Sequence, residues 1–207
     1  MNTNTGTVTP QSKTKMLVIN GLFIALTLVA TMFINIRLPF IGNGGLIHLG
    51  NVPLFLGAFI YGRKTGAIAG GIGMGLFDLI SGWTAWAPFT FIIVGIMGFV
   101  AGTISEKLRV RPVVANTIAV VAALVIKVVG YYFAEVILFG NWIAPFGSIP
   151  GNVVQIVVAG IIVVPFAGKL KEIALRYLSH LNAWNSPGRY GPGLYEYIKD
   201  IGNTTRR

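Results

Sequence analysis

The chain has no cysteine, only two histidines (His48 and His180) and only six acidic residues. Lack of cysteine excludes disulfides and thiolate metal centres. The histidines lie at opposite ends of the topology developed below, and neither belongs to an H-E-x-x-H zinc motif. A phosphate-binding G-x-x-x-x-G-K-[ST] loop is missing, so the chain cannot itself be a Walker-type ATPase. G-x-S-x-G is missing too. Ser81 and Ser148 are available as nucleophiles, but nothing in their spacing pairs either with His48. No N-P-A water-channel motif and no arginine ladder of a voltage sensor is found. The expectation is a protein with no catalytic residue, no metal and no cofactor.

Charge is also absent from long stretches, and that absence is informative. Fourteen of the sixteen Lys and Arg residues fall in four places. These are Lys13 and Lys15; Arg63 and Lys64; Lys107, Arg109 and Arg111; and the C-terminal Lys169, Lys171, Arg176, Arg189, Lys199, Arg206 and Arg207. Between them the sequence is nearly pure hydrocarbon: 54% of residues are hydrophobic and 11% charged, with a mean hydropathy of +0.74. Such a composition excludes an ordinary soluble domain. The net charge of +10 would point to nucleic acid in a soluble protein. Here the charges flank apolar runs, so lipid headgroups and the positive-inside rule explain them, and no nucleic-acid partner is expected.

Six spans can be marked: 16–36, 51–61, 65–82, 88–105, 112–139 and 152–167, the last continuing into the amphipathic KLKEIALRYLSHL. With six crossings all four basic clusters share one side, which places both termini in the cytoplasm; five or seven crossings would put a cluster outside. The expected fold is therefore an all-α integral membrane protein of six transmembrane helices, with tails at 1–15 and 181–207 and a membrane domain over 16–180. Loops 37–50, 82–88 and 139–151 face outward. The first and third are rich in Gly, Pro and aromatics, a composition suited to folding back over a cavity.

Ionisable groups at membrane depth are costly and mark functional sites. Asp78, Lys127 and Glu135 are such groups. Lys127, Tyr131 and Glu135 recur every four residues and so share a helix face. Tyr132 is adjacent, and Asn152 and Gln155, three apart, share a face of the last helix. Together they offer donors, acceptors and stacking surface for a small polar aromatic molecule. Snorkelling of Lys127 and Glu135 to opposite interfaces is the plain alternative. Asp78 lies nearer the outer end of its helix, Arg37 reads as an interfacial anchor, and His48 either lines the site or satisfies its own loop. Trp83, Trp86 and Trp142 suit an aromatic belt or ligand stacking. The third helix carries Gly66-x-x-x-Gly70 and Gly71-x-x-x-Gly75, and the first Gly21-x-x-x-Ala25. Such spacing serves internal packing or a smooth face for another membrane protein.

The segment LIHLGNVPLFLGAFIYGRKTGAIAGGIGMGLFDLISGWTAWAPFTFIIVGIMGFVAG (46–102) resembles the second-to-fourth-helix signature of the substrate-binding (S) components of energy-coupling factor (ECF) vitamin transporters. Size, span count and the small residues of the first helix fit as well. The resemblance implies a subunit of the bacterial plasma membrane that captures a vitamin from outside. It then docks through helices one to three on a transmembrane T component driven by two ATPase subunits. By position it implicates His48, Asn51, the segment Trp86 to Val94, Lys127, Tyr131, Glu135, Trp142, Asn152 and Gln155 in the ligand site. For docking it implicates Gly21, Ala25, Gly66, Gly70, Gly71 and Gly75. The sequence is most similar to the branch linked to hydroxymethylpyrimidine, pyridoxine and riboflavin, with pantothenate a further alternative. Val94 departs from similar sequences, which often carry Lys there. The rival class is an autonomous secondary carrier or channel, against which stands the lack of an inverted repeat or a discontinuous helix pair.

Overall fold

The computed structural model describes residues 10–37 and 46–184. The expected tails at 1–15 and 181–207 lie largely outside the described residues. In chain order come α1 (Pro10–Phe33), β1 (Asn35–Arg37), β2 (Leu46–His48), α2 (Asn51–Tyr61), α3 (Arg63–Ile80), α4 (Ala87–Lys107), α5 (Pro112–Phe139), a 3₁₀ turn (Ala144–Gly147) and α6 (Ile149–Trp184). The chain forms two compact units, one ending at Lys169 and one beginning at Leu170; the second consists, among described residues, of the last turns of α6.

Local chemistry sets the boundaries. α1 ends at Phe33, where the Asn35 side-chain amide donates to the Thr31 carbonyl (3.0 Å) and satisfies a group the last turn leaves free. Gly62, at φ +96°, supplies a backbone turn that side chains resist, and α3 starts at once after α2. Glu106, from the far end of α4, accepts the Arg63 backbone N–H at 2.8 Å and so caps α3. α4 and α5 open on Pro88 and Pro112, whose fixed φ suits a first turn. Gly140, in the left-handed conformation, closes α5.

One expectation needs extending. The first outer loop is not purely irregular, because β1 and β2 form a two-stranded antiparallel ribbon with Asn35 opposite His48 and Arg37 opposite Leu46.

Among the described residues four helices are long and apolar enough to cross a membrane: residues 13–33, α4, α5 and the stretch Ala144–Arg176. Leu22, Ile92, Val125 and Ile161 are among the large apolar side chains left exposed on them, as lipid contact requires. The 11 residues of α2 span only about 16 Å, short of a hydrocarbon core of about 30 Å.

Helix contact rests on small residues, since lipid provides no hydrophobic drive for helix association. α2 and α3 run antiparallel, Gly66 meeting Ala58 and Gly70 meeting Leu54. α3 and α4 do likewise: a Cβ at Gly66 would lie 2.8 Å from the Gly98 carbonyl oxygen, and one at Gly71 2.9 Å from that of Phe91. Gly75 faces Phe91 and Ala87. This corrects the docking assignment for the third helix. Gly66, Gly70, Gly71 and Gly75 are buried against α2 and α4 and present no surface to a partner. Gly21 and Ala25 differ: both are exposed on α1, and a Cβ at Gly21 meets nothing within 4 Å. The core continues through Ala119 and Ala123 of α5 and Ala159, Val163 and Ala167 of α6.

Candidate functional site

At the opposite end of the bundle from the Gly62 turn, larger residues hold the helices apart around a cavity of about 90 Å³. Its wall on α5 is the stripe of Lys127, Tyr131 and Glu135, spaced four residues apart. α6 supplies Gly151, Asn152 and Gln155, with Ser148 just before it; α3 supplies Met74, Phe77 and Asp78. Trp83 and Trp86 come from the α3–α4 turn, Thr90 from α4, Thr31 from α1, and Leu46 and His48 from β2. Both glycine- and proline-rich outer loops thus contribute wall residues.

Gln155 organises the polar floor. Its Oε1 accepts from Lys127 Nζ at 2.8 Å and from Asn51 Nδ2 at 3.4 Å, while its Nε2 donates to the Leu46 carbonyl at 2.6 Å. The ammonium of Lys127, only 2% exposed, is therefore held by a neutral partner, with the Tyr131 ring 5.8 Å away. Tyr131 and Thr90 share a hydroxyl–hydroxyl bond of 2.9 Å, and Trp86 lies 6.4 Å from the Tyr131 ring at a tilt of 37°. Asn152 donates to the Ser148 carbonyl at 3.2 Å. Glu135 is also 2% exposed, and its Oε2 has no hydrogen-bond partner. A buried acceptor in that condition costs about 1–3 kcal/mol or more until something donates to it.

His48 Nδ1 accepts the Gly50 backbone N–H at 3.2 Å, which leaves the ring proton on Nε2. Burial, reinforced by the Lys127 charge, pushes this imidazole well below its usual range and keeps it neutral.

Of the residues the sequence singled out, the structure brings His48, Trp86, Lys127, Tyr131, Glu135, Asn152 and Gln155 together on one cavity. Asn51 stands behind the wall, fully buried, and acts through Gln155. Trp142 does not join them. It is 63% exposed, its carbonyl accepting from the Tyr132 hydroxyl at 2.9 Å. The cause is local: Asn141 Oδ1 accepts from the backbone of Ile143 and Ala144 and turns the chain before the 3₁₀ segment. Tyr132 packs edge-on against Phe146, away from the cavity. Val94 is fully buried between α3 and α4 and lines nothing. Asp78 and Trp83, left undecided from sequence, do line the site. Thr90 lies within the implicated segment Trp86 to Val94, whereas Thr31 and Ser148 were not singled out as ligand contacts; single hydroxyls in apolar runs carry no spacing signal. Among the described residues no group of three or more His, Cys, Asp or Glu gathers to hold a metal ion.

A membrane-embedded helical bundle with a polar, aromatic-walled cavity at one end is the architecture of a small-molecule binding subunit. The family model for the ECF-type riboflavin transporter S component matches residues 11–172, and the chain belongs to that family of multi-pass membrane transport proteins. It is 27% identical over 145 residues to the thiamine precursor transporter HmpT of Lactococcus lactis subsp. cremoris, covering 70% of this chain and 80% of that one. An uncharacterised protein of Pyrococcus woesei is 31% identical over 139 residues, 65% of this chain and 86% of its own. The solved S component of a bacterial ECF transporter shares the fold, with a TM-score of 0.62 at 21% identity, over 78% of this chain and 98% of that structure.

Proposed function

We propose that this chain captures a small, single-ring vitamin or vitamin precursor, of the hydroxymethylpyrimidine or pyridoxine kind, and delivers it through a T component and two ATPase subunits. The observation that carries the reading is the Lys127–Tyr131–Glu135 stripe, turned inward on a polar cavity rather than snorkelling to two interfaces. The subunit binds and hands over its ligand without chemistry of its own.

Cavity size argues for one ring. At about 90 Å³ the cavity is smaller than the roughly 150 Å³ that accepts benzene, so it must widen for any ring, and by the least for a single one. The similarity to HmpT favours the same ligand class.

Charge supports the orientation. The Arg63–Lys64 turn, the 107–111 cluster and Lys169 all lie at the bundle end away from the cavity. Six crossings with that end, and both termini, in the cytoplasm obey the positive-inside rule and open the cavity outward. The exposed Gly21–Ala25 face of α1 is the docking surface that remains for the T component.

Co-purification of the tagged protein from its own cells tests the assembly: a T component and two ATPases are expected. Labelled hydroxymethylpyrimidine is expected to enter cells only when the ATPases are intact. Full uptake without them would instead establish an autonomous carrier.

A further inference from the structure

The polar atoms of the cavity are not equally provided for. Lys127 Nζ has the Gln155 carbonyl, Gln155 Nε2 has the Leu46 carbonyl, Asn152 Nδ2 has the Ser148 carbonyl, and the Tyr131 and Thr90 hydroxyls satisfy each other. Each of these donors has at least one protein acceptor. Among the side chains lining the cavity, the buried oxygen that lacks a partner is Glu135 Oε2, at 2% exposure in the wall. Asp78 adds a second carboxyl to the same lining, against a single ammonium.

The arrangement along α5 gives this imbalance a direction. Lys127 and Glu135 are eight residues apart, about 12 Å along the helix axis, with Tyr131 between them. The cavity has a cationic pole already engaged by Gln155, an aromatic middle, and an anionic pole with a vacant acceptor. An anionic ligand would place its charge near two carboxyls in a low-dielectric setting, with one already engaged lysine to offset it. A ligand N–H donor would instead fill the vacant position on Glu135 by a charge-assisted hydrogen bond.

We propose that the cavity selects a flat heteroaromatic bearing an exocyclic amino or other N–H donor, seated against Glu135, and rejects anionic forms such as phosphate esters and carboxylate vitamins. This rests on the vitamin-capture reading and narrows it: the subunit takes up the free base and not the phosphorylated one. Glu135 is the residue that sets specificity. Lys127 and Gln155 position the opposite edge of the ring.

The test is calorimetric titration of the full chain in lipid nanodiscs with four probes: hydroxymethylpyrimidine, whose ring carries an exocyclic amino group, its deamino analogue, its phosphate ester, and pantothenate. The free amino compound is expected to bind at least about tenfold more tightly than each of the others, the loss that follows from one charge-assisted bond. Glu135→Gln is expected to weaken the amino compound by about tenfold and the deamino analogue by less than about twofold. Equal binding of the ester or of pantothenate would overturn the proposal. So would an equal effect of Glu135→Gln on both pyrimidines, or the absence of binding by any of the four. Should Glu135→Gln fail to fold, as read from its thermal unfolding, the four-probe comparison on the unaltered chain decides alone. Co-purification with a T component and ATPases decides the family-level reading independently, so specificity can fail while capture stands.

Discussion

The two ends of the same helices are built on opposite rules. Toward the Gly62 turn, α3, α4, α5 and α6 meet through Gly66, Gly98, Gly102, Ala119, Ala123, Gly160 and Ala167, and at the closest points of α3 and α4 backbone meets backbone. Two turns further along, the same helices present Met74, Phe77, Thr90, Tyr131, Glu135 and Gln155, and a cavity opens. Residue size alone makes the bundle closed at one end and hollow at the other. The closed end also carries the surface charge, including the Arg63–Glu106 pair (3.9 Å) that fastens the α2–α3 turn to the end of α4. Function is thus segregated along the helix axis: one end holds the fold, and the other has freedom to hold a ligand.

The comparison can be broken at its closed end first. A Cβ at Gly98 would run into the Gly66 carbonyl and lie 2.9 Å from the Ala67 backbone nitrogen. Gly98→Leu is therefore expected to cost about 3 kcal/mol or more, seen as lost monodisperse protein or a large fall in thermal unfolding temperature. Gly21→Leu, made where a side chain has open space, is expected to leave unfolding and ligand binding unchanged while reducing recovery of the T component.

At the hollow end the effects move to affinity. Lys127→Ala removes the ammonium from Gln155 and from the ligand, and titration calorimetry is expected to show hydroxymethylpyrimidine binding weakened by about 10- to 100-fold with the fold retained.

His48 gives a pH signature. Its imidazole is held neutral in the folded protein, so the unfolded chain takes up the proton first as pH falls. Stability is fully present above the ordinary imidazole value of about 6.5 and declines below it. His48→Gln is expected to flatten that decline between about pH 7 and 5 in unfolding curves.

The smallest effect belongs to Glu106→Ala, which strips α3 of its cap. A loss of about 1 kcal/mol is expected in denaturant unfolding, with ligand affinity unchanged because the cavity lies at the other end.

What the sequence disclosed follows from this same segregation. Helix extents were legible because apolar runs end at glycine, proline and charge, and the α5 stripe because a period of four is a property of one helix alone. Partners across helices were not. A small-residue motif states that something approaches closely without stating what, so Gly66, Gly70, Gly71 and Gly75 read equally well as a docking face, although α2 and α4 occupy them. Trp142 was misplaced because its position depends on an Asn141 side-chain turn that no periodicity encodes. Thr31 reaches the cavity from α1 while its hydroxyl bonds back to the Thr27 carbonyl at 2.7 Å, a role invisible in a run of hydrophobic residues.

The protein carries its own reporter for the central claim that the hollow end is the ligand site. Of its four tryptophans, Trp83 and Trp86 line the cavity and Trp142 is exposed on the surface. Titration of hydroxymethylpyrimidine into the purified subunit, without T component or ATPases, should be followed by tryptophan fluorescence in a chain carrying Trp142→Phe and Trp184→Phe. The account predicts a saturable change at one ligand per chain that moves to about 10- to 100-fold higher ligand concentration on adding Lys127→Ala. A flat titration, or an identical change with Lys127→Ala, would contradict it.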